Sequence, residues 1–74
     1  MEIIQLEDQI TLGQFLKHQA IIGSGGEAKW FLRENDVFLN GEREDRRGKK
    51  LHHDDVLDLG EFGQFRIEYK SEWD

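Results

Sequence analysis

Five cationic side chains fall within positions 43–50 of this chain of 74 residues, a spacing that favours contact with phosphate. They are Arg43, Arg46, Arg47, Lys49 and Lys50. Arginine offers a planar fork for bidentate phosphate contact, and lysine supplies a point charge. The segment therefore predicts a basic loop that binds an anionic partner. A charged loop neutralised by its own acids, Glu42, Glu44 and Asp45, is the competing interpretation.

A second cationic group falls on a predicted helix over residues 25–34. At 100° per residue, Lys29, Trp30 and Arg33 turn away from the apolar side of this helix. Lys29 and Arg33 lie one turn apart and are spaced to bridge successive phosphates, or they belong to a solvated face. Trp30 on this polar side would stack an unpaired base, or it packs under a terminal strand.

A glycine-rich corner, Ser24-Gly25-Gly26-Glu27, precedes that helix. The spacing of Ser24 and Glu27 predicts a capping box, and a helix N-terminus with free backbone N–H groups attracts phosphate. A tight turn that needs glycine for backbone reasons explains the corner equally well. A nucleotide-binding P-loop is excluded, because no Gly-Lys-Ser/Thr follows.

The remaining polar residues give no sign of catalysis or of a metal site. His52-His53-Asp54-Asp55 contains metal-ligating types, but adjacent residues on an extended segment point in opposite directions, which favours a polar turn shaped by Asp55. Ser24 and Ser71 are the serines, and no histidine falls in a recognisable nucleophile motif. We therefore expect no enzyme activity, no cofactor, no bound metal and no small-molecule substrate.

Two helices are predicted to position the basic groups. Thr11 and Gln14 form a capping box, and positions 12, 15 and 16 share one helical face, so helix one runs over Leu12–Gln19. Helix two follows the glycine-rich corner and ends near Asn35 and Asp36.

Short strands complete the prediction. Glu2–Leu6 and Val37–Leu39 have strand character, and Asn40-Gly41 predicts a tight hairpin. The segment 42–50 is too charged for a core strand. Val56–Leu59 and Phe65–Tyr69 regain strand character on either side of a turn bracketed by Gly60 and Gly63.

Composition and charge limit the class of protein. An apolar fraction of 36% suffices for a small core, and the absence of cysteine excludes disulfides and thiolate zinc sites. The net charge of −6 hides segregation: residues 1–8 and 54–74 are acidic, while residues 9–53 carry eight bases against six acids. No apolar run could span a bilayer and the N-terminus lacks a secretory start, so we expect one cytoplasmic, monomeric domain over residues 1–74.

The order of these elements resembles a known family. The matching residues are Ser24 to Arg33, Val37 to Glu42, Arg46 to Leu51 and Asp55 to Leu57, within a likeness over about Thr11–Leu59. The chain resembles the ribosomal protein S-four-like RNA-binding domain, or αL motif, and among its forms the short stand-alone bacterial members of the YaaA and YbcJ kind. The resemblance implies an α+β fold with two packed helices, the αL motif, against a small, mainly antiparallel β-sheet.

The resemblance also implies a function: binding of structured RNA, such as ribosomal RNA or the ribosome, through helix two, its corner and the basic loop. The expected RNA-binding residues are Lys17, Ser24, Gly25, Gly26, Lys29, Trp30, Arg33, Asn40, Arg43, Arg46, Arg47, Lys49 and Lys50. The rival hypothesis is a protein-interaction adaptor whose acidic segment, Asp54 to Asp74, docks on a basic partner.

Overall fold

The computed structural model of the protein describes residues 1–70. Its strands are β1 (Glu2–Leu6), β2 (Phe38–Leu39), β3 (Glu42–Arg43), β4 (Val56–Asp58) and β5 (Gln64–Tyr69), and its helices are α1 (Leu12–His18) and α2 (Glu27–Glu34). A single 3-10 turn, Gly60–Phe62, joins β4 to β5. The predicted α+β class is confirmed.

The five strands form one mixed sheet in the order β1-β5-β4-β2-β3. β1 runs parallel to β5, with Glu2 opposite Phe65, and the other three pairings are antiparallel. Asn40 and Gly41, at φ 52° and 85°, make the hairpin turn between β2 and β3, as the Asn-Gly pair predicts. The first two residues of the charged segment after that turn form β3, an exposed edge strand.

The core lies between the two helices and one face of the sheet. In β5, Phe65 and Ile67 are buried, and Gln64, which precedes Phe65, is exposed. This is the alternation expected of a strand with one buried face. The rings of Phe15 and Phe65 meet edge to face at 5.4 Å and join α1 to the sheet. The opposite face of the sheet carries Ile3 and Phe38, both exposed.

The start and end of α1 follow from local chemistry. The Thr11 hydroxyl accepts the Gln14 N–H at 3.3 Å, and the Gln14 side chain accepts the Thr11 N–H at 2.8 Å, so the predicted capping box is present. The helix ends where Ala20 adopts φ 58°, with the Ala20 N–H on the Lys17 carbonyl and the Ile21 N–H on the Leu16 carbonyl. This pair of hydrogen bonds is a Schellman motif, which turns the chain toward α2.

The capping box predicted at Ser24 is wrong. α2 begins at Glu27 rather than Gly25, its N-cap is Gly26, and no side chain caps it. The Ser24 carbonyl accepts the Glu27 N–H at 3.1 Å, and the Glu27 carboxylate accepts the N–H of Gly23 at 2.8 Å. Two glycines in succession favour a turn over a helix, because each loses much backbone entropy in a helix.

Candidate nucleic-acid interface

The basic loop is held in place by the first turn of α1. The Leu12 N–H donates to the Lys49 carbonyl and the Gly13 N–H donates to the Arg47 carbonyl, both at 2.8 Å. The first N–H groups of a helix have no partner within it, so these carbonyls and the Thr11 hydroxyl satisfy them. Just beyond the loop, the Leu51 N–H donates to the Ile10 carbonyl at 2.9 Å. The backbone of the loop is thereby fixed relative to α1.

Gly13 is the point at which the basic loop and both helices meet. A Cβ at this position would lie 3.2 Å from the Arg47 carbonyl oxygen, 3.3 Å from the Arg47 Cβ and 3.4 Å from the Ala28 Cβ. Only a hydrogen fits here without a shift of the neighbours. This role of Gly13 was not predicted, although an isolated glycine inside a helical pattern is a signal for it.

A shallow groove of about 390 Å³ runs between the starts of the two helices and the loop. Gly13, Gly25, Ala28 and Gly48 line it with little side-chain bulk, and Arg47 lies at its side. Small residues allow a backbone or a sugar to approach closely. The groove therefore brings together the predicted corner residue Gly25 and the predicted loop residue Arg47.

Six of the predicted cations have no carboxylate within 4 Å among residues 1–70. They are Lys17, Lys29, Arg33, Arg47, Lys49 and Lys50. Lys29 and Arg33 are exposed on α2 with Trp30, as the helical spacing predicts, while Lys17 is exposed in the last turn of α1, where a cation also suits the helix dipole. Lys49 is half-buried.

Arg43 and Arg46 are engaged within the fold. Arg43 lies 3.3 Å from Asp36. The Arg46 guanidinium donates to both oxygens of Glu44, from Nε at 3.0 Å and from an Nη at 3.2 Å, and the Arg46 N–H adds a third bond at 3.2 Å. The two arginines therefore have less capacity for an external phosphate than their neighbours, and the acids that interleave the loop neutralise part of it.

Glu44 is a buried acid, 8% exposed, and both of its carboxylate oxygens accept hydrogen bonds from the Arg46 guanidinium. The side-chain hydrogen bond from Arg46 lowers the pKa of Glu44 below its ordinary value of 4.5, against the opposing effect of burial. A lowered folded pKa means that this stabilisation is present above pH 4.5 and is lost as the pH falls through the folded value.

Replacing Glu44 with glutamine is therefore expected to reduce the free energy of unfolding by about 1–2 kcal/mol at pH 7. The difference from the parent protein should shrink toward zero at pH values well below 4.5, where the parent carboxyl is itself protonated. Chemical denaturation across a pH series measures both values. Glu42→Gln is the matched control, because Glu42 is exposed and has no cation within 4 Å among residues 1–70. A pH-independent Glu44→Gln difference would contradict the assignment.

A polar cleft of about 380 Å³ lies by the β2–β3 turn, lined in part by loop residues. Its lining contains the cations Arg43, Arg46 and Lys49 and the acids Glu42, Glu44, Asp45 and Asp55. The acids outnumber the lysine and arginine side chains, so the cleft does not concentrate an anion. The groove at Gly13 has no such acids in its lining.

Asn40 and Asp55 serve the fold. The Asn40 amide donates to Asp55 Oδ1 at 2.9 Å and its oxygen accepts the Val56 N–H at 2.9 Å, while Asp55 Oδ2 accepts the His52 N–H at 2.7 Å. Asp55 shapes a polar turn, as expected. The Asn40 side chain, predicted to contact RNA, is occupied by these internal bonds. No group of three or more possible metal ligands occurs among residues 1–70.

The glycine-rich corner carries a negative charge close to the predicted phosphate site. The Glu27 carboxylate occupies the N–H of Gly23, and the N–H groups of Glu27 and Ala28 donate to the carbonyls of Ser24 and Gly25. These bonds are those of a tight helical turn, the alternative that the sequence left open. Ser24 and Gly26 remain exposed beside the groove.

Comparison with known proteins gives two matches. Residues 3–68 match a family described as "S4 domain". The chain is 52% identical over 60 residues to the "Probable ribosome maturation protein RlbA" of Bacillus subtilis (strain 168), an alignment that covers 81% of this chain and 84% of that protein.

No helix within residues 1–70 is both long and apolar enough to cross a membrane.

Proposed function

Because the chain belongs to the S4 domain family, we propose that it binds structured RNA, with ribosomal RNA or the ribosome as its partner, and performs no catalysis. The relative named as a ribosome maturation protein supports this partner class. The proposal includes a cytoplasmic location and a monomeric protein.

The observation that carries the proposal is the anchoring of the basic loop. Its backbone caps α1, and Gly13 brings it against α2, so the segment that carries Arg47 and Lys50 is fixed relative to the helix that carries Lys29 and Arg33. Cations on a fixed backbone can match the spacing of phosphates, which is how proteins recognise the shape of a folded RNA. The groove at Gly13 provides the concave surface for the RNA backbone.

The proposed interface is narrower than the set predicted from sequence. It consists of Lys17, Ser24, Gly25, Gly26, Lys29, Trp30, Arg33, Arg47, Lys49 and Lys50. Arg43, Arg46 and Asn40 are left out of it, because their side chains are bonded to Asp36, Glu44 and Asp55.

The adaptor hypothesis gains little from residues 54–70. Asp55 and Asp58 accept internal hydrogen bonds, and Glu68 accepts one from Arg66. The last four residues of the acidic segment, 71–74, lie outside the described residues. Nothing in the part of that segment which the structure describes favours docking on a basic protein.

Fluorescence anisotropy tests the proposal with a labelled ribosomal RNA stem-loop, a DNA duplex of equal length and an unstructured RNA, across a salt series. We expect the stem-loop to bind most tightly, with log K falling linearly against log salt concentration, because phosphate contacts release counterions. Absence of binding to all three at low salt would refute the proposal. Purification from lysate with and without nuclease then separates RNA-dependent partners from protein partners.

A further inference from the structure

Trp30 is a large aromatic residue that the fold leaves uncovered. In α2, Ala28 and Leu32 are buried, whereas 58% of Trp30 is exposed. Burial of a tryptophan removes about 150–250 Å² from water. Leaving Trp30 exposed therefore forgoes a large hydrophobic contribution to the stability of the fold. Neither β1 nor β5 covers Trp30, so the alternative of packing under a terminal strand is not found in residues 1–70.

Arg33 orients the indole of Trp30. Its guanidinium carbon lies 5.5 Å from the ring centroid, within the range of a cation–π contact. This contact occupies one face of the ring and restrains both side chains. No carboxylate within residues 1–70 lies within 4 Å of the Arg33 guanidinium, so its N–H groups stay available to a phosphate.

The surroundings of Trp30 favour a nucleic acid over a protein as its partner. Among residues 1–70 the other exposed aromatic groups are Phe38, on the open face of the sheet, and Phe62, whose ring already packs against that of Phe31 at 5.3 Å. Trp30 is instead flanked by Lys29 and Arg33. A single flat ring beside exposed cations matches a base and its adjoining phosphates, whereas an apolar protein surface would require a wider apolar patch.

A base within a regular duplex has both faces covered by its neighbours. A protein ring can therefore stack on a base only where the base is unpaired, as in a loop, a bulge or a flipped-out position. The indole of Trp30 thus selects for an unpaired base, which the cations alone do not distinguish from a paired one.

We propose that Trp30 stacks on one unpaired nucleobase of the RNA while Arg33 and Lys29 hold the adjoining phosphates. This inference rests on the proposed RNA-binding function and names the feature that the RNA must present. The ligand class is a helical RNA that presents an unpaired base, of which a single bulged nucleotide is the simplest form. The cations of the loop bind the helical part, and Trp30 determines the preference for the unpaired base.

Two RNA hairpins that differ by one base test the proposal. One carries a single bulged adenosine, and the other carries an abasic nucleotide at the same place, so the phosphate backbone is the same in both. We expect the adenosine form to bind about 10-fold more tightly. The ratio of the affinity for the adenosine hairpin to that for the abasic hairpin should fall to about 1 in Trp30→Ala and to an intermediate value in Trp30→Phe. The affinity for the abasic hairpin should change little in either variant.

Trp30 fluorescence gives a second readout. The chain contains two tryptophans, so Trp73→Phe leaves Trp30 as the sole reporter. Quenching by the adenosine bulge and not by the abasic hairpin is expected. If both hairpins bind equally well and quench equally, stacking is refuted while RNA binding stands. If neither hairpin binds, the proposed function fails with it.

Discussion

Replacing Lys29, Arg33, Arg47 and Lys50, four of the six interface cations that have no carboxylate within 4 Å among residues 1–70, with glutamine is expected to lower the affinity for a structured RNA by roughly 100-fold. Exposed ionic contacts contribute up to about 1 kcal/mol each, and about 1.4 kcal/mol corresponds to a factor of ten. The slope of log K against log salt concentration should also become shallower by about 4, because up to four counterion-releasing contacts are removed. Anisotropy titration of one stem-loop across a salt series measures both quantities.

Two cations outside the interface provide the matched control. Arg43 lies 3.3 Å from Asp36, and Lys70 lies 3.6 Å from Glu7. We expect the double variant Arg43→Gln/Lys70→Gln to lose less than about 2-fold in affinity per charge, since neither belongs to the proposed surface. An equal loss per charge in the two variants would mean that the RNA responds to overall charge and not to this surface.

Replacing Gly13 with valine is expected to reduce the free energy of unfolding by about 3 kcal/mol. The added side chain would meet the Arg47 carbonyl oxygen at 3.2 Å, and that oxygen accepts the hydrogen bond of Gly13 itself, so it cannot retreat without losing the bond. Overpacking of this kind costs about 1–3 kcal/mol, and the γ-methyl groups of valine place the cost at the upper end of that range, since the gain in helix propensity over glycine is only roughly 0.3 kcal/mol. Denaturant unfolding measures the change.

Graded and control variants make the Gly13 experiment specific. Gly13→Ala should be close to neutral, because a gain of about 1 kcal/mol in helix propensity opposes the milder overpacking. Gly48→Ala is the control in the same loop, since a Cβ there would contact nothing within 4 Å. If Gly13→Val is as stable as Gly48→Ala, the loop is not seated against both helices as described.

The parts of the fold that local chemistry determines could be predicted from the sequence. Thr11 and Gln14 bond reciprocally, and Asn40-Gly41 adopts the two positive φ values of its hairpin turn. The capping box predicted at Ser24 does not form, although its residue types fit the same pattern: the Glu27 carboxylate accepts the N–H of Gly23 instead, and no side chain caps α2. A capping pattern shows which hydrogen bonds are possible, and the backbone conformation of the turn decides which of them forms.

The pairing of individual charges could not be predicted, because it depends on contacts that spacing does not reveal. Arg46 and Arg47 are adjacent and of the same type, so the sequence gives no reason to distinguish them. In the structure Arg46 is bonded to the buried Glu44, whereas Arg47 has no carboxylate within 4 Å among residues 1–70. The exposure of Trp30 likewise depends on which elements cover α2. The helical spacing predicts only that Trp30 lies on the polar side of this helix.

The interior position of β5 in the sheet has a consequence for the order of folding. β5 lies between β1 and β4, and it pairs with β1 over Glu2 to Leu6 from the other end of the described chain. Closing so long a loop is slow, since its entropy must be lost before the strand contacts repay it. During synthesis, β1 and β4 keep exposed edges until residues 64–69 leave the ribosome. The arrival of this one strand therefore converts two aggregation-prone edges into a continuous sheet.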